Sequence, residues 1–204
     1  DAVMRGLTGH NDLRVHTGLM GDGLLELVVS GAIAEGPSAI VGVAIGSAEL
    51  YAGIVNPAFQ FRPVSVTHGL AAHAAIDNLV TINSAIEVDL LGQAYAELTP
   101  KGLMSGPGGA SDFARGARLG DGLRIVALPA SAAGGSISRI VAPGGGAGAV
   151  SLGRMDIDLV VTEHGVADLR DKTYAMRAEV LIGIASPPHR DLLQVAWTDY
   201  AKKL

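Results

Sequence analysis

The sequence contains no cysteine. A disulfide framework, a thiolate metal site and a cysteine nucleophile are therefore excluded. Charge is sparse as well: Asp, Glu, Lys and Arg make up 17% of the 204 residues, and the formal net charge is −5. No Lys/Arg cluster occurs, whereas a duplex-binding domain is normally basic. Aromatic residues are 4%, with one Trp, which argues against base-stacking platforms and against nucleic acid as a partner. No apolar run approaches the ~18 residues of a membrane span. The run Ala39 to Ile45 is broken by Gly42 and ends at Gly46. Residues 1 to 10 have neither the basic start nor the apolar stretch of a signal peptide. Together these absences set the expectation of a cytoplasmic protein with no membrane partner. The chain opens on Asp1 rather than Met, and is read as a fragment or a processed product.

What is present points to a folded chain. Hydrophobic residues are 49%, far above the content of a disordered segment. The 28 glycines and 9 prolines together stay below the ~25–30% that marks low complexity, so the glycines belong in turns and ligand loops. The length suits one domain, or two at most, and the chain is read as one. Strands are predicted at Ala39 to Ile45, Leu79 to Ile82, Ile86 to Leu90, Arg124 to Leu128, Ser138 to Val141 and Asp158 to Thr162. Helices are predicted at Asp22 to Val29, Ser47 to Gly53, Val166 to Arg170, Tyr174 to Ala185, and from near His189 towards Lys203. Gly31 serves as a stop for the first, and Pro187-Pro188 ends the fourth. This alternation predicts an α/β fold, an open and largely parallel sheet with flanking helices. Ligands of such sheets bind at the carboxyl ends of the strands.

Several chemistries have no motif here. There is no G-x-x-x-x-G-K-[ST] loop, no H-E-x-x-H pair and no G-x-S-x-G elbow. A loose G-x-G-x-x-A at Gly144, Gly146 and Ala149 lacks a clear strand before it and helix after it, so it is weak evidence for a dinucleotide. The six histidines show no i, i+4 pairing, and no metal site is predicted.

The informative stretch runs from Thr81 to Gln93. Ile86, Val88 and Leu90 alternate with Glu87 and Asp89, and on pattern alone the two carboxylates form the wet face of a half-buried strand. Their surroundings open a second reading. Asn83-Ser84 precedes the strand, Gly92-Gln93 follows it, and Ser105 to Arg115 supplies a glycine-rich loop leading into a helix that starts near Ala110. Glycines let backbone N–H groups approach a ligand closely, and the helix start adds positive potential. A carboxylate beside bare amides is a usable arrangement of nucleophile and oxyanion donors. Taken alone, the glycine loop also fits an ordinary strand-to-helix turn. Arg115, Arg139 and Arg170 are candidate partners for phosphate or carboxylate, with a surface role as the simpler reading. His16 and His164 read as structural, Glu163 as a carboxylate supporting the site from behind, and Met20 and Phe113 as core.

These pieces resemble the acetyl-CoA hydrolase/transferase group of CoA transferases, including 4-hydroxybutyrate CoA-transferase-like members. The resemblance is carried by His16-Thr17-Gly18-Leu19-Met20-Gly21-Asp22-Gly23, Asn56-Pro57, Ile82 to Leu90, Gly106-Pro107-Gly108-Gly109, Asp112 to Ala117, Ser138 to Val141 and Val161 to Arg170, in the family's order. It covers nearly the whole chain and matches the C-terminal half of such an enzyme. It implies that Glu87 is the catalytic glutamate, that Gly106, Gly108, Gly109 and Asp112 lie against the CoA moiety, and that the amide of Gly165 helps to hold an oxyanion. It further implies acyl-CoA and a short-chain carboxylate as substrates, no permanently bound cofactor, and the N-terminal half of the same enzyme as a partner. An apolar chain of this kind is also expected to bury surface against itself, as a homo-oligomer. Ala110, Val55 and Val66-Thr67-His68 depart from the family's pattern, which bears on substrate choice rather than on chemistry. The implied activity is transfer of CoA between carboxylates. Thioester hydrolysis, or binding without turnover in the absence of the other half, stand as alternatives.

Overall fold

A computed structural model describes residues 2–99 and 101–204. Where the sequence reads as one domain, the internal contacts fall into two compact units, one ending at Ala72 and the other running from His73 to Leu204. The first is a three-stranded parallel sheet of Val15–Met20, Ala39–Ala44 and Phe59–Phe61, in that order. Helices Asp22–Val29 and Ala48–Gly53 belong to the same unit. Ser47 caps the second of these by accepting from Leu50 N at 3.2 Å, as a short polar side chain does at an N-cap. Its core is Met20, Leu24, Leu27, Val41 and Leu50, all at most 1% exposed.

Among the described residues, the second unit holds two main sheets and two short two-stranded ones, Leu98–Thr99 with Gly102–Leu103 and Ser131–Ala132 with Ile137–Ser138. Strands Val80–Ser84, Leu123–Ala127 and Leu159–Thr162 run parallel, and Gly165–Asp168 closes one edge antiparallel to the last of them. The Val166 to Arg170 helix expected from sequence is therefore a strand. Thr162 pairs with Gly165 across the two-residue turn Glu163-His164, and ladder bonds to Leu159–Thr162 outweigh the local helical pattern. The smaller sheet places Glu87–Asp89 between Ile140–Val141, which is parallel to it, and Ala94–Tyr95, which is antiparallel. The strand expected over Ser138 to Val141 is broken at Arg139 into Ile137–Ser138 and Ile140–Val141.

Helices Ala110–Arg118, Tyr174–Gly183 and Arg190–Ala201 flank these sheets. The first turns Ala114, Gly116 and Ala117 inward. Gly116 is required there: a Cβ at this position would overlap the side chain of His73, which is fully buried and stacks on Phe113 at 4.2 Å between ring centroids. Met20 is core, as the sequence suggests, whereas Phe113, expected to be core, is only half-buried, with its ring stacked on His73.

One ion pair ties neighbouring parallel strands of the larger sheet. Asp158 accepts from Arg124 Nε at 2.8 Å, Arg124 Nη2 at 2.5 Å and the Arg124 backbone N at 2.9 Å, with both side chains largely buried. Asp158→Ala leaves the guanidinium buried without its partner and is expected to cost about 3–5 kcal/mol in chemical denaturation. Lys202→Ala, which breaks an exposed pair with Asp199, is expected to leave the midpoint unchanged.

Candidate active site

Strand Glu87–Asp89 alternates as the sequence predicts, but neither of its faces is wet. Val88 is fully buried in the core, and on the other side Glu87 is 6% exposed and Asp89 0%. The reading of the two carboxylates as a solvent face is therefore corrected. The cover comes from the segment Pro143 to Gly148, whose amides turn back onto the strand.

The two carboxylates are treated differently. Asp89 accepts five hydrogen bonds: Leu91 N and Gln93 N at 3.0 Å each on Oδ1, and Gln93 Nε2 at 2.8 Å, Gly144 N at 2.9 Å and Tyr95 Oη at 3.1 Å on Oδ2. A carboxylate so surrounded is a structural hub. Glu87 accepts one bond, from Ala147 N to Oε2 at 2.8 Å, and among the described residues its Oε1 accepts none. Tyr95 is the neighbour of Glu87 on the adjacent strand, and its phenol is pushed up to about 12, first by burial and then by the charge of Asp89. Gly146 lies flat on that ring, because any Cβ there would overlap it.

The glycine loop sits at the end of the same strand. Gly106, Gly108 and Gly109 line a cavity of about 330 Å³, opposite Asn83, Ser84 and Ile86. That volume is at the low end for a small-molecule site. Among the described residues none of the amides of these three glycines donates to another group of the chain, so they are available to a ligand. Ser105 Oγ anchors the loop by donating to Ala96 O at 3.2 Å. Glu87 follows Ile86 in sequence but, like Asp112, is not among the residues that line this cavity.

The remaining candidates lie elsewhere. Asp112 is in the first turn of helix Ala110–Arg118, half-buried and outside the cavity lining; its carbonyl oxygen lies 3.4 Å from His73 Nδ1. Gly165 begins the edge strand of the larger sheet and is exposed, in a different sheet from Glu87. Arg170 is committed to Asp168, 2.6 Å away, whose carboxyl it draws down to about 2. Glu163 accepts from Ala130 N at 2.8 Å, which holds its carboxyl low. Arg115 is exposed, and Arg139 is half-buried. His16 Nε2 lies 3.2 Å from Thr67 O, within the first unit.

Sequence reasoning missed Tyr95 and Ala147, and noticed Gln93 and Gly144 without assigning them to the carboxylates. The available signal was the Pro143 to Gly148 run, whose glycines match the loose dinucleotide pattern. A short strand, Ile140–Val141, does precede it, but no helix follows, and its amides serve the chain's own carboxylates.

Two measurements test this division of labour. Asp89→Ala removes the acceptor of five donors and is expected to destabilise the fold by about 3 kcal/mol or more, whereas Glu87→Gln, which keeps an oxygen for Ala147 N, stays within about 1 kcal/mol in chemical denaturation. Tyr95 is expected to be the last of the four tyrosines to ionise in an absorbance titration, and Tyr95→Phe removes that final phase. The folded state keeps the Tyr95 proton after the unfolded chain has lost its own near pH ~10. Its stabilising contribution is thus complete below pH ~10 and lost as pH rises towards about 12.

Among the described residues no helix is long and apolar enough to cross a membrane. The family model for the acetyl-CoA hydrolase/transferase C-terminal domain matches residues 46–197. A succinyl-CoA:cyclohexane-1-carboxylate CoA transferase from Geobacter metallireducens is 37% identical over 96% of the chain and 47% of its own length. A 4-hydroxybutyrate coenzyme A transferase from Clostridium kluyveri is 37% identical over 95% of the chain and 47% of its own length. The crystal structure of RipA from Yersinia pestis superposes with a TM-score of 0.89 at 32% identity, over 98% of this chain and 47% of that one. The chain thus spans about half the length of the relatives it matches. By sequence and by fold, it belongs to the acetyl-CoA hydrolase/transferase family, to whose C-terminal domain it corresponds.

Proposed function

We propose that this chain is the nucleophile-bearing half of an acyl-CoA:carboxylate CoA-transferase, with Glu87 forming a glutamyl–CoA thioester. The observation that carries the reading is the contrast within one strand: Asp89 is saturated by five donors, while Glu87 keeps a carboxylate oxygen that accepts no hydrogen bond among the described residues. Only the second kind of carboxylate is useful as a nucleophile. The names of the relatives, CoA transferases acting on succinyl-CoA and on 4-hydroxybutyrate, favour the same chemistry.

The Glu87 carboxylate attacks the acyl-CoA carbonyl, the C–S bond breaks, and a mixed anhydride forms with release of CoA thiolate. The thiolate attacks the glutamyl carbon, the C–O bond breaks, and the first acid leaves. A second carboxylate runs the steps in reverse. The thioester's free energy stays in the enzyme–CoA bond, so the cycle needs no ATP. The amides of Gly108 and Gly165 are the proposed donors to the acyl oxyanion, each worth about 3–4 kcal/mol when well aimed. Gly106, Gly109 and Asp112 are assigned to the CoA side of the site. The N-terminal half found in the longer relatives is the proposed partner that completes the cleft. Hydrolysis is the second reading, favoured by the family's own description, and differs in that water resolves the thioester.

Intact-protein mass after incubation with acetyl-CoA, with the N-terminal half present, tests the assignment. One CoA less one water is expected on the wild type, sensitive to hydroxylamine and absent from Glu87→Gln. An adduct that survives in Glu87→Gln would falsify it. Consumption of acetyl-CoA is accelerated by a different carboxylate acceptor, such as butyrate, for a transferase and left unchanged for a hydrolase.

A further inference from the structure

The hydrogen bond from Ala147 N to Glu87 Oε2 does more than bury a side chain. It makes the two oxygens unequal: Oε2 is held at 2.8 Å, and Oε1 accepts no hydrogen bond among the described residues. The donor is itself fixed. Gly144 N is bonded to Asp89, Gly145 N donates to Ala142 O at 2.8 Å, and Gly146 rests on the Tyr95 ring. With Glu87 only 6% exposed, little water is at hand to replace the bond.

Resting on the proposed transferase reading, the geometry points to a role for the Ala147 amide: it holds Oε2 throughout the cycle and stabilises the oxyanion that forms on it. Oε1 makes the bond to the acyl carbon as the thioester C–S bond breaks. Oε2 then is the carbonyl oxygen of the glutamyl half of the anhydride. Thiolate attack on Cδ moves an electron pair onto Oε2, where the N–H already points. Its return expels Oε1 with the acyl group as the free acid. The second acid reverses these steps and leaves one of its own oxygens at the Oε1 position. This donor serves the glutamyl carbonyl, and so differs from the amides assigned to the substrate carbonyl. Preorganised donors at developing charge are the largest single contribution in such sites.

The consequence is that one glutamate oxygen exchanges and the other does not. The protein in its full length is incubated with acetyl-CoA and doubly 18O-labelled acetate for many turnovers, quenched and digested, and the peptide containing Glu87 is weighed. A plateau at one 18O per Glu87 is expected. Two 18O would mean that the carboxylate turns over between cycles; that overturns the role of Ala147 and leaves Glu87 as nucleophile. No label removes Glu87 as nucleophile, and this inference with it. Ala147→Pro, which lacks the N–H, is expected to become doubly labelled with kcat lowered about 100-fold, while Ala147→Gly stays singly labelled. A singly labelled Ala147→Pro also overturns the inference. Should that variant not fold, the wild-type labelling decides.

Discussion

Asp89 is the group on which the site's architecture depends. A carboxylate with no solvent exposure is costly unless its lone pairs are filled, and here the filling is done by three separate pieces of chain. Two donors come from the turn after its own strand and two more from the side chains of Gln93 and Tyr95. The last comes from Gly144, far along the sequence. That last bond seats the Pro143 to Gly148 segment over the strand and puts Ala147 within reach of Glu87. The buried charge thus fixes a loop, and the loop fixes the carboxylate two residues away.

Chemical asymmetry follows from this. Glu87 and Asp89 are the same functional group, on one strand and one face, and both are buried. They differ in how many donors reach them. Where many do, the carboxylate stops being available for chemistry; where one does, it keeps a lone pair to give. Tyr95 sits next to both and stays protonated, so it adds a donor without adding charge.

Much of this was legible in the sequence, within limits set by local pattern. The strands Val80–Ser84, Leu123–Ala127 and Leu159–Thr162 could be read because each holds a short run of apolar, largely β-branched residues, even though Val80 and Ile82 remain exposed. The helices with an apolar face, Asp22–Val29 and Tyr174–Gly183, could be read for the corresponding reason. The edge strand Gly165–Asp168 could not, since its short Val-Ala-Asp-Leu pattern suits a helix and only pairing with Leu159–Thr162 decides. The strand bearing Glu87 showed its alternation but not its burial. Alternation separates two faces; it does not say that a loop some 55 residues later covers one of them. The family resemblance singled out Glu87 and the Gly106–Gly109 loop. Ala147 carries no such mark, because a backbone amide acts through its place in the fold and its side chain is irrelevant.

The contact between Gly116 and His73 has a consequence for how this domain can vary. The helix that starts beneath the glycine loop is pressed against a buried ring with no room for even one methyl group. Any lineage that enlarges residue 116 must trim residue 73 or tilt the helix, and a tilt is delivered at its first turn, where Gly109 and Ala110 line the cavity. Drift at this pair, out of reach of any ligand, would retune the mouth of the site. The two positions are therefore expected to change together or not at all.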